Sequence, residues 1–262
     1  MGKIIEWITQ TCAGIGEWFQ VTVAEFAKQF HLNFIKDNRW EYIVDGLGRT
    51  LIITVLAAIL GFAIGVVVAA LRSTYDLNKE VMSRRKNFGY RIFSFFNKLC
   101  KVYIAVIRGT PVVVQLMIMY FVIFASSTNS TGIAVLAFGI NSGAYVAEII
   151  RAGIMSVDRG QFEAGRSLGL NYVQTMIFVI IPQVFKSVLP SLLNEAIALL
   201  KETSIAGYVG IVDLTKAGEI IKGVTFSAFM PLIAVALIYL TIVIFLTWIV
   251  GKIERRLRKN ER

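Results

Sequence analysis

A chain of 262 residues with 56% apolar content and a mean hydropathy of +0.68 is too apolar for an ordinary soluble domain. The net charge of +10 does not point to nucleic acid, because Lys and Arg cluster between and after apolar runs, as they do in cytoplasmic membrane loops. With a single histidine and no His-Glu-x-x-His, a zinc-dependent intramembrane enzyme is excluded, and Cys12 and Cys100, placed on opposite faces of the membrane, give neither a disulfide nor a metal site.

Residues 1–45 read as an amphipathic arm at the outer membrane interface. Ile4, Ile5, Ile8, Cys12, Ile15, Trp18 and Phe19 recur at helical spacing, with Glu6, Gln10 and Glu17 between them. The first residues lack the unbroken apolar core and small-residue cleavage site of a removable signal peptide. His31 falls in this arm and has no assigned role.

A first span is expected over about 49–71, where Gly61 and Gly65 form a small-xxx-small pair that permits close helix contact. A basic loop over 72–101 follows, cytoplasmic by its Lys and Arg content. Second and third spans are expected over about 109–126 and 132–150, joined by the short uncharged link Ser127-Thr128-Asn129-Ser130-Thr131. Residues 151–186 are polar. A fourth span over about 188–206 leads to an outer loop with a short helix at 207–227, and a last span over about 229–250 leads to a basic tail at 252–262. The chain is therefore expected to be an all-α membrane protein: a five-helix domain over 46–251, the N-terminus outside and the C-terminus cytoplasmic.

The polar insert over about 156–183 has its own logic. Asp158 can cap a helix N-terminus, and Gly169 can end that helix in the left-handed conformation. Asn171 with Gln174 spells a capping box for the next helix, which runs toward an interruption at Pro182.

Charges within spans are costly, roughly 2.5–3.5 kcal/mol each on insertion scales, and mark function by default. Glu195 stands in the fourth span beside Asn194, with Ser191, Ala198 and Glu202 on the same face. Such a groove suits an ammonium group or a cationic side chain. Glu202 has the alternative of pairing with Lys216 or Lys222, and Glu148 of pairing with Arg151 or Arg108. Tyr145, Thr110 and Gln115 are further polar candidates along the path.

Glu163-Ala164-Gly165, Gly169, Val179 and Ile181-Pro182 resemble the EAA loop of ABC importer permeases, which reads EAA, three residues, G, nine residues, I, one residue, LP. Gly165, Val179 and Ile181 depart from that pattern without breaking its spacing. Ile107-Arg108-Gly109-Thr110-Pro111, the run from Asn141 to Glu148, and Leu200-Lys201-Glu202-Thr203-Ser204 extend the likeness to the polar amino-acid branch, over roughly 46–250. The resemblance implies a type I importer membrane subunit in a bacterial cytoplasmic membrane. It implies two cytoplasmic ABC ATPase subunits, a second permease (identical or similar), an extracytoplasmic substrate-binding protein and an amino-acid substrate. It further implies that Glu163, Ala164, Gly165 and Gly169 couple to the ATPase, and that relatives for cationic amino acids carry Asn-Glu where this chain has Asn194-Glu195. No cofactor is expected in this chain, since ATP and magnesium would belong to the partner, and no Gly-x-x-x-x-Gly-Lys-[Ser/Thr] occurs here. The competing classes are a permease for glutamine or cystine and a membrane sensor that transports nothing.

Overall fold

The computed structural model describes residues 23–85 and 88–259, and no strand occurs among them. The reading of Ile4 to Phe19 as an amphipathic helix, and the position of Cys12, lie outside the described residues. After a helical arm over residues 23–38 come eight α-helical elements: α1 (Trp40–Arg85), α2 (Phe88–Gly109), α3 (Val112–Ile118, widened into a π-turn over Met119–Ile123), α4 (Ser130–Met155), α5 (Arg159–Ser167), α6 (Tyr172–Glu202, with a π-turn at Met176–Ile180, followed by a 3-10 helix over Thr203–Val209), α7 (Leu214–Thr225) and α8 (Phe229–Lys259). Among the described residues, four helices are long and apolar enough to cross a membrane. The bent pair α2–α3 makes a fifth if taken as one span.

The pairing of α1 with α4 organises the bundle. Without a water-driven pull between helices in lipid, close backbone contact supplies the attraction. Gly61 lies against Ser142 and Gly139, and a side chain at Gly65 would overlap Val146, so the small-xxx-small pair faces α4 as its spacing suggested. The apolar centre then closes around Ile53, Leu116, Phe138 and Leu199, one each from α1, α3, α4 and α6.

Several boundaries differ from the sequence expectation. The basic stretch 72–101 is not a loop: α1 continues to Arg85 and α2 begins at Phe88. No glycine or proline lies between Arg72 and Lys86 to stop a helix, so the charges sit on helical extensions. The second span begins at Phe88 rather than 109, and the expected start is in fact its corner, a 108° bend between α2 and α3 at Gly109-Thr110-Pro111. The fourth span begins at Tyr172, not 188, and passes through Pro182 uninterrupted. The π-turn explains this: the Ile181 N–H bonds back to Met176, which shifts the ladder so that the missing proline donor falls at its seam. The tail over 252–259 is helical and continuous with α8.

Two clusters fix the ends of the bundle. At one, Arg72 and Asp76 of α1 meet Glu148 and Arg151 of α4: Arg72–Glu148 and Arg151–Asp76 are each 3.3 Å, Arg151–Glu148 2.5 Å. Glu148 thus pairs with Arg151 as one reading held, and with Arg72 rather than Arg108. At the other end the buried Asp213 caps α7, accepting from the Thr215 and Lys216 N–H groups at 3.0 and 3.2 Å. Burial pushes its carboxyl up, and those donors pull it back down. Lys216 pairs with Glu219 at 2.9 Å, which leaves the expected Glu202–Lys216 pair unformed.

Candidate functional site

Two regions carry polar chemistry that packing alone does not require. The first is the short elbow between α4 and α6. Asp158 Oδ1 accepts from Gly160 N at 2.6 Å and starts α5. Gly169 takes φ +78°, where an L side chain is strained, and turns the chain back. The capping box forms in both directions: Gln174 N donates to Asn171 Oδ1, and Asn171 N to Gln174 Oε1, each 2.9 Å. The helix, turn and helix foreseen over 156–183 are present, with α6 taking over from Tyr172.

Within α5, Gly165 is buried against α6, and an added Cβ would lie 2.6 Å from Thr175 Cγ2. Where the family pattern has alanine, this chain has glycine, and Thr175 fills the space. Glu163, Ala164 and Arg166 are left exposed. The elbow therefore has an inner face seated on α6 and an outer face of one acid, one methyl and one base.

The second region lies inside the spans, where Glu195 on α6 is half-buried and accepts a hydrogen bond from Ser142 Oγ of α4 at 3.2 Å. Asn194 and Ser191 are exposed on the same helix. Across the site, Arg108 at the end of α2 stacks over the ring of Tyr145, its guanidinium carbon 5.1 Å from the centroid. Arg108 is also within electrostatic reach of Glu195. One carboxylate and one guanidinium thus flank an open polar face.

Thr110 and Gln115 are hydrogen-bonded within the chain. Thr110 Oγ1 donates to the Val106 carbonyl at 2.8 Å. Gln115 Nε2 reaches the Ile107 carbonyl at 2.7 Å, Thr110 O at 3.0 Å and Thr110 Oγ1 at 2.8 Å, while its Oε1 accepts from Asn141 at 2.9 Å. A helix broken at Gly109-Thr110-Pro111 leaves carbonyls without their in-helix partners, and this side chain supplies a donor to two of them. Sequence reasoning missed Ser142 and Arg108 as neighbours of Glu195. The adjacent polar pair Asn141-Ser142 inside an apolar span was the available signal.

A bundle of long apolar helices with a polar face on one of them and a capped elbow between two of them defines a class: a membrane-embedded helical protein. The sequence matches the binding-protein-dependent transport system inner membrane component over residues 88–259. An arginine transport system permease of Bacillus subtilis is 36% identical, over 84% of this chain and 94% of that one. A glutamine transport system permease of Escherichia coli is also 36% identical, over 82% and 93%. A solved amino acid ABC transporter with histidines shares 38% identity at a TM-score of 0.71, covering 82% of this chain and 94% of that one. A solved methionine ABC transporter in an inward-facing conformation, at 19% identity and a TM-score of 0.69, shares the fold.

This chain belongs to the family of binding-protein-dependent transport system inner membrane components. It is a permease subunit of the ABC importer type with the type I fold, and it is not an enzyme; ATP hydrolysis belongs to a separate subunit.

Proposed function

We propose that the chain forms half of the path by which an ATP-driven importer moves a polar L-amino acid, a cationic one first among the candidates. The observation that carries this is Glu195, a carboxylate within a span, held by Ser142 and bordered by exposed Asn194 and Ser191. An acidic group in the membrane interior is retained for a partner. Here the partner would be the ammonium or cationic side chain of the substrate, while Arg108 on Tyr145 offers a counter-charge to its carboxylate. The arginine and glutamine permeases among its relatives support the substrate class. Glutamine is the second reading, favoured by relatives named for it in Escherichia and several Rickettsia species.

The face bearing Ser191 and Asn194 lies open in the single chain, which suits closure by a second permease, identical or similar. Two cytoplasmic ATPase subunits would dock on the elbow. The exposed Glu163 and Ala164 would make the contact, while Gly165 and Gly169 would shape the helix that presents them. A substrate-binding protein would deliver cargo from outside. The elbow, Arg72, Lys79 and Lys252 fall toward one end of the spans, which supports a cytoplasmic C-terminus in a bacterial inner membrane.

The test is the reconstituted complex, permease with ATPase and binding protein in proteoliposomes, exposed to a panel of L-amino acids. Stimulated ATP hydrolysis and uptake should select a polar amino acid. Glu195→Gln should then lose uptake of arginine, lysine or histidine. Unchanged uptake of all three would remove the carboxylate from the binding site.

A further inference from the structure

We propose that the N-terminal arm and the α7–α8 turn together form one anchor in the surface of the phospholipid leaflet at which α1 and α8 begin. Three observations converge on it.

The arm is amphipathic and latched to that turn. Val23, Phe26 and Phe30 repeat at three and four residues and are 51%, 56% and 45% exposed. Glu25, Lys28 and Gln29 occupy the opposite face and bond among themselves. At the arm's end, the buried Asn33 accepts from Thr225 Oγ1 at 2.8 Å and donates to Ser227 Oγ at 3.4 Å. Phe34 inserts beside Leu214, Ile221 and Val235. The arm's end is therefore held where α7 ends and α8 starts.

The chain breaks away from α1 rather than continuing its axis. Asp37 and Asn38 take φ of +56° and +53°, and the buried Arg39 pins the corner by donating to the Leu32 carbonyl and to Asp37. Trp40 begins the long apolar helix α1, so the arm directly precedes a candidate membrane span.

The turn presents an aromatic ring where glycine is the usual residue. Phe226 caps α7 with φ +54° and is 94% exposed, and Phe229, 70% exposed, opens α8. A bulky residue in the left-handed region is strained. The ring gains nothing from its own chain in return. Aromatic rings at the headgroup level recover that cost by entering the acyl boundary. Phe26 and Phe30 lie on the arm that Asn33 latches to the turn, Trp40 starts α1, and Phe226 and Phe229 lie on the turn itself.

The decisive measurement is spin-label accessibility in the complex that copurifies with its ATPase, reconstituted in phosphatidylethanolamine–phosphatidylglycerol vesicles. Labels are placed singly at Phe26→Cys, Phe226→Cys and Lys28→Cys in a chain carrying Cys12→Ser and Cys100→Ala. The ratio of oxygen to aqueous-nickel relaxation should be several-fold higher at positions 26 and 226 than at 28. Equal aqueous accessibility at all three positions overturns the anchor. So does protection of position 226 that appears only on adding ligand-loaded binding protein, which would make the turn a protein-docking surface. Amino-acid uptake is not part of the readout, so failure here is distinct from failure of the substrate assignment.

Discussion

Ser142 Oγ donates to Glu195 Oε1 across 3.2 Å, joining α4 to α6 inside the membrane. A neutral donor to a carboxylate holds its position without cancelling its charge. Ser142→Ala should therefore leave a folded permease whose Glu195 is less well oriented. Losing one hydrogen bond to a charged group is worth about 1.5–3 kcal/mol, which predicts a KM raised by roughly tenfold or more with ATPase assembly intact. An unchanged KM would mean that the serine only fills space.

Gly165 and Thr175 make a reciprocal pair. Gly165→Ala places a methyl 2.6 Å from Thr175 Cγ2, and the elbow must lift off α6. Overpacking of this kind costs about 1–3 kcal/mol. Recovery of bound ATPase should fall, and Thr175→Ala should restore part of it. Pull-down of the ATPase by the two single variants and the double variant measures the coupling. Additive losses would show that the two residues do not share the contact.

Gly169 has open space around it, so its role is conformational rather than steric. At φ +78°, Gly169→Asn should be tolerated, because asparagine visits the left-handed region, whereas Gly169→Val should not. Gly169→Asp adds charge at the turn and is expected to reach the membrane yet lose ATPase copurification. Full recovery with the valine variant would separate the turn from docking.

The Arg72–Glu148–Arg151–Asp76 cluster ties α1 to α4 through side chains that are 13–26% exposed. Removing Glu148 alone leaves two guanidiniums facing each other. Glu148→Ala should therefore lower thermal stability in detergent more than the double variant Glu148→Ala/Arg72→Ala does relative to Arg72→Ala. The interaction energy expected for such neighbours is about 0.5–3 kcal/mol. A cycle that closes to zero would assign no coupling to the pair.

What the sequence made legible was local. Asp158, Gly169 and the Asn171–Gln174 box act within a few residues of themselves, and all three formed where their types and spacing placed them. Charge patterns proved less informative about conformation. Lys and Arg over 72–101 report a side of the membrane, and a helix carries them as well as a loop does. Pro182 suggested a stop because proline breaks helices in isolation, but the π-turn at Met176–Ile180 is a tertiary accommodation that no window of sequence shows. The 108° bend was hidden for a similar reason: Gly-Thr-Pro allows it, and Gln115, five residues on from Thr110, helps to hold it. Ser142 escaped notice because its partner lies 53 residues away.

The corner at Gly109-Thr110-Pro111 has a mechanical consequence. Gln115 fastens both limbs, holding the Ile107 carbonyl on one and resting on the other, so the angle is braced rather than hinged. A braced angle behaves like a bell crank. A push along the Phe88 limb becomes a sideways throw of the limb that seats Leu116 among Ile53, Phe138 and Leu199. The two limbs would thus move as one piece at their 108° angle, with no helix having to unwind.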